Sequence, residues 1–203
     1  TAYSVTQREL FAFYRLWKDA TGEDIANASP HLTDSIKYWI HATVPTMDRF
    51  APFGDQIMSG RDKLFDYHRH VILEARRLSN NSAALGWATW WLHNSILDGT
   101  TAPRNRVERP ENTRQDILPN GNTGTPPPQL HYRAEGVGQL FARTDWTPNA
   151  MWMSFVAGRF DESHAAQEQG TFSLFADNWL SWTANMYSST GIVQVTPVNN
   201  VLR

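Results

Sequence analysis

Apolar positions along this chain change period about two-thirds of the way through. In residues 4–19, Leu10, Phe13, Tyr14 and Trp17 recur at three- and four-residue intervals, which predicts an amphipathic helix with these side chains on one face. Ser4 followed by Gln7 has the spacing of a capping box, and Gly22 supplies the stop. A second helix is expected from about His31–Leu32, through Ile36, Trp39 and Ile40, ending before Pro45. Residues 46–60, with Phe50-Ala-Pro-Phe-Gly-Asp55, read as a loop. Two more helices are predicted over about 61–79 and from Ala83 to Leu97, the last carrying Trp87, Trp90 and Trp91. Short connections between helices of this length favour antiparallel hairpins.

Residues 98–128 have no period and many breakers, including Asn-Gly-Asn-Thr-Gly-Thr-Pro-Pro-Pro, and read as a linker or long loop. Beyond them the period falls to two. Gln129–Ala134 and Val137–Arg143 flank Glu135-Gly136 as a hairpin would, and Ala150–Ala157 is strongly apolar. Further strands are expected near 171–175, 179–184, 192–196 and 199–203. The expectation is an α+β protein: a helical segment 1–98, a linker 99–128 and an antiparallel β-sheet domain 129–203.

Composition narrows the function. A net charge of -2 with 19% charged residues leaves no electrostatic footprint for nucleic acid. The absence of cysteine excludes disulfides, thiolate nucleophiles and Cys-type zinc sites. No run approaches the roughly 20 apolar residues that span a bilayer. Nine tryptophans are many for 203 residues. Most belong in a core, but two or three exposed indoles would suffice to stack sugar rings. Thr1-Ala-Tyr carries no Met and Asn199-Asn-Val-Leu-Arg203 reads as mid-strand, so a longer parent chain is expected.

The densest chemistry lies in Arg159-Phe-Asp-Glu-Ser-His-Ala-Ala-Gln-Glu-Gln-Gly-Thr-Phe-Ser-Leu-Phe175. Asp161, Glu162, His164, Gln167, Glu168 and Gln169 crowd a loop that turns through Gly170 into a strand. Thr171, Ser173 and Phe175 should face one way, and Phe172 and Leu174 the other. A titratable loop at the mouth of a rigid strand is where sites tend to be built, although such a loop is also simply well solvated.

The stretches Gly138-Gln-Leu-Phe-Ala-Arg-Thr-Asp-Trp146, Asn149-Ala-Met-Trp-Met-Ser-Phe155 and His164-Ala-Ala-Gln-Glu-Gln-Gly-Thr-Phe172 together resemble the heparinase II/III-like polysaccharide lyases. The last is similar to that family's His-x-His-x-Asp-x-Gly-x-Phe motif, and Asn199-Asn-Val-Leu202 to its His-Asn-Val segment. The resemblance implies helical hairpins of an incomplete (α/α) toroid followed by a β-sandwich-type domain. It also implies β-elimination on a uronic-acid polysaccharide, an acidic polysaccharide or oligosaccharide as partner, and a secreted or periplasmic location. It places the general acid/base at Tyr3, at the start of a helix, and substrate contacts at His164, Arg143, Gln167 and Glu168.

The departures from the motif matter for metal chemistry. Ala166 and Asn199 stand where relatives with a structural zinc carry histidines, and Glu168 replaces the aspartate. Trp182 and Thr183 fall where an aspartate ligand is expected. One imidazole, His164, cannot hold zinc by itself, so no cofactor is expected. His164 is then equally suited to contacting substrate or to capping a strand. Arg143 suits a uronate, but an ion pair with Asp145 or Glu135 is the blander reading. Asn80-Asn81, His93-Asn94 and Tyr67-His68-Arg69-His70 offer residues able to neutralise a carboxylate, although hairpin ends use the same types. The competing functions are a non-catalytic glycan-binding relative and a glycoside hydrolase pairing Asp161 or Glu162 with Glu168 across roughly 5–9.5 Å.

Overall fold

A computed structural model describes residues 4–52, 62–64, 66–96, 123–159 and 168–182. Among them the protein is α+β, with four α-helices preceding a five-stranded antiparallel sheet. The backbone groups into two compact units, one of residues 3–40 and 64–128, the other of 41–63 and 129–203 together with the first two residues.

In the helical unit, α1 runs Ser4–Thr21 and packs against α3, Asp66–Leu78. Gly22 ends α1 at φ 78°, its N–H returning to the Lys18 carbonyl at 2.8 Å, because only glycine takes the left-handed conformation without cost. The face that α1 buries is not the one its spacing suggests. Phe11 is fully buried, whereas Phe13 and Leu16 are 50% and 60% exposed. The Phe11 side lies toward α3, where Arg15 also reaches Glu74 at 3.3 Å, and the Leu10–Phe13–Trp17 stripe therefore turns outward. Gln7 makes no local cap with its amide. Its Oε1 accepts from Trp39 Nε1 and its Nε2 donates to Ser35 Oγ, both at 2.8 Å.

Helix α2, His31–Ala42, buries Leu32, Ile36, Trp39 and Ile40, the expected set. Helix α3 starts later than its apolar pattern suggests. Residues 62–64 are extended instead: Phe50 N–H donates to the Asp62 carbonyl at 3.0 Å, and Lys63 pairs with Arg49. Helix α4, Ser82–Asn94, is capped by Asn81, whose Oδ1 accepts from the Ala83 and Ala84 N–H groups at 3.1 and 3.2 Å. It ends at Asn94, short of the expected Leu97, with Ser95 N–H closing on Trp91 O. Residues 123–128 pass close to α4: a Cβ at Gly124 would lie 2.2 Å from the Gly86 carbonyl oxygen.

The sheet is a meander in the order β1 (His131–Ala134), β2 (Gln139–Arg143), β3 (Trp152–Val156), β4 (Phe172–Ala176) and β5 (Asn178–Ser181). The hairpin expected around Glu135-Gly136 joins β1 to β2, and Gly138 turns it at φ 63°. Register places Phe141 opposite Ser154 and Ser154 opposite Ser173, so one face carries Gln139, Phe141, Arg143, Trp152, Ser154 and Phe175, all buried. Thr171 and Ser173 join Phe175 on that face, as alternation predicts. The expected strands near 192–196 and 199–203 lie outside the described residues.

Candidate functional site

Glu168 is the motif residue whose setting is clearest. It is buried, and its carbonyl accepts the Thr171 N–H at 2.8 Å, a turn that delivers the chain straight into β4. Gly170 holds φ 84° at the centre of this turn, with its N–H on the Val156 carbonyl at 2.7 Å. The acid-x-Gly-x-Phe order thus has a physical basis: glycine permits the turn, and Phe172 is the first residue of β4. Tyr3, His164, Ala166, Gln167 and Asn199 lie outside the described residues, as do Asp55, Asp161 and Glu162.

Arg143, at the end of β2, is 7% exposed. The ion pair considered for it does not form. Glu135 sits 3.9 Å from Arg133, and Asp145 is engaged by the Thr147 N–H at 2.6 Å. Those bonds, with Thr147 first, hold the Asp145 carboxyl below the usual carboxylate range. Arg143 instead donates from Nη2 to the Thr43 carbonyl at 2.5 Å and lies over the Trp146 ring, 3.9 Å from its centroid. Its Nε has no acceptor among the described residues. Burial pushes the guanidinium down to about 9, against the opposing pull of Asp145. Two further buried donors on the same sheet face, Ser154 Oγ and Thr171 Oγ1, also have no partner there.

Aromatic rings surround this face. Trp152 donates from Nε1 to the His41 carbonyl at 2.8 Å, and the His41 ring stacks on Tyr132 and meets Trp146 edge-on at 5.2 Å. At the other end Trp179 packs edge-to-face against Phe175 and Trp152 and donates from Nε1 to Asp62 Oδ2 at 2.6 Å. Sequence reasoning missed Asp62 and Trp179, and no signal could have paired groups 117 positions apart.

Several of the remaining polar candidates make contacts that hold the helices. Asn81 caps α4, Asn94 Nδ2 donates to the Trp90 carbonyl at 2.8 Å, and the Asn80 N–H donates to Asn27 Oδ1 at 3.2 Å. Arg69 ties α3 to the end of α4 through the Leu92 carbonyl and Ser95 Oγ. His68 and His70 are buried in α3. Among the described residues no three His, Asp or Glu side chains converge as a metal would require, and no helix is long and apolar enough to cross a membrane. The chain matches no protein-family model, and no curated protein matches its sequence.

Proposed function

We propose that this chain is part of a secreted or periplasmic polysaccharide lyase that cleaves a uronic-acid polysaccharide by β-elimination. In this reading the helices are hairpins of an (α/α) toroid and the sheet opens a β-sandwich. The observation that carries it is the turn at the head of β4. Buried Glu168, left-handed Gly170 and strand-initiating Phe172 stand at the acid, Gly and Phe positions of the motif that this stretch resembles, and a turn into a strand is what that order of residues suits. The α-then-antiparallel-β order supports the same reading.

The chemistry assigns each part a task. The C5 proton of a uronate is acidic only once the adjacent carboxylate is neutralised. A base then takes that proton, its electron pair becomes the C4–C5 double bond, and the C4–O glycosidic bond breaks. The departing oxygen receives a proton, for which Tyr3 is the candidate donor. His164, Gln167 and Glu168 are candidate substrate contacts on the loop before β4. Arg143, a cation with no carboxylate partner among the described residues, is the candidate for substrate charge. Its deep burial makes that role one of field rather than of direct grip.

Ultraviolet absorbance of the protein mixed with alginate, chondroitin and heparan sulfate tests the reading, because elimination alone creates an unsaturated uronate. A rise that Tyr3→Phe reduces by about two orders of magnitude is the expected result. New reducing ends without absorbance would instead mark a hydrolase. Ala166 and Asn199, in place of histidines, favour a second reading: a glycan-binding relative without chemistry, for which polymers bind and neither signal appears.

A further inference from the structure

The lyase motif leaves unused an aromatic pair at the end of the meander. Trp182, just past β5, lies nearly parallel to Trp179, with centroids 6.2 Å apart and an interplanar angle of 16°. Trp179 is fixed: Phe175 and Trp152 meet it edge-on, and its N–H is held by buried Asp62. Trp182 is 38% exposed, so the outer member of the stack reaches solvent while the inner member is packed and hydrogen-bonded. Asp62 spends Oδ2 on Trp179, and its Oδ1 has no hydrogen-bond partner among the described residues.

We propose that Trp182, Trp179 and Asp62 form a saccharide-binding site. A pyranose ring lays its C–H face on the indole of Trp182, and the free oxygen of Asp62 accepts a hydroxyl. Three features select this class of ligand. A flat indole backed by a fixed second indole loses less freedom than an isolated one when a ring stacks on it. A carboxylate oxygen with no donor among the described residues is a strong acceptor for a polyol. The same carboxylate repels anions, so the site reads the ring and its hydroxyls and leaves uronate charge to other groups. The assignment extends the glycan reading above but does not depend on its elimination step.

Isothermal titration of the full chain with alginate, chondroitin and cellulose hexasaccharides tests it. At least one should bind, with Trp182→Ala weakening affinity about tenfold and Trp182→Tyr recovering most of the loss. Asp62→Asn, which can still accept from Trp179, should weaken binding less and relieve discrimination against sulfated chondroitin. Circular dichroism should be unchanged in the Trp182 variants. If none of the hexasaccharides binds, or if Trp182→Ala binds within about twofold of the parent, the site is wrong. Binding lost in Trp182→Ala without any lyase product would keep the site and remove the lyase. Product formed with binding indifferent to Trp182 would do the reverse.

Discussion

Arg143 is the residue whose placement has the largest electrostatic consequence. Its guanidinium is folded into the sheet unit against Trp146 and the Thr43 carbonyl, with no carboxylate in ion-pair contact among the described residues and only the longer-range pull of Asp145 opposing its burial. Because burial lowers its pKa from the ordinary guanidinium range to about 9, the folded state binds fewer protons than the unfolded state from about pH 9 up to that range. Stability contributed through this group is therefore absent below the folded value and appears as pH rises through that window. Chemical denaturation at pH 8 and 10.5 should show the parent gaining on the order of 2 kcal/mol relative to Arg143→Met, in which this gain is missing. Parallel pH dependence in the two proteins would mean that the guanidinium has a counter-charge. The sequence marked Arg143 as a candidate but indicated neither its burial nor Trp146 as its cover.

At the scale of elements, helix existence was legible and helix orientation was not. The period of α1 is plain, yet Leu10, Phe13, Leu16 and Trp17 line its exposed side while Phe11 is buried. Periodicity names a stripe; it does not say which neighbour will cover it. Phe11→Ala should cost about 3–5 kcal/mol in urea unfolding, and Phe13→Ala under about 1 kcal/mol. The opposite ranking would show that α1 is rotated from the orientation described. The start of α3 failed for a related reason. Nothing local forbids a helix at 62–64, but the Asp62 carbonyl accepts from Phe50 and its carboxylate from Trp179, both distant in sequence. In β4 the two levels agree, because Thr171, Ser173 and Phe175 alternate with Phe172 and Leu174 as a strand covered on one face must.

For the whole molecule, the outward stripe of α1 is a contiguous apolar strip on an otherwise charged helix, and such strips associate. Sedimentation velocity should show concentration-dependent association of the chain, and Phe13→Glu with Leu16→Glu should abolish it with little change in melting temperature. A parent that remains monomeric at high concentration would show the strip to be innocuous. The grouping of 41–63 with the sheet unit is also a property of the whole molecule. Thr43 pairs with Phe50, Arg49 with Lys63, and the Thr43 carbonyl meets Arg143, so a segment between two helices completes the setting of the sheet's buried face.

The division between the two sources of information follows from the range of the forces involved. Local order is written in the sequence: the 3.6-residue period of the helices, the alternation of β2 to β4, the stop at Gly22, the cap at Asn81 and the left-handed turn at Gly170. Each depends on interactions within a few residues, so the residues themselves dictate it. Composition likewise removed thiol and disulfide chemistry before any fold was known. Only the tertiary structure decided which face of α1 is buried, that Arg143 lies under Trp146 with no ion-paired acid among the described residues, and that Asp62 meets Trp179. Those outcomes depend on which of several compatible surfaces pack together, and that competition is settled by side chains up to 117 positions apart.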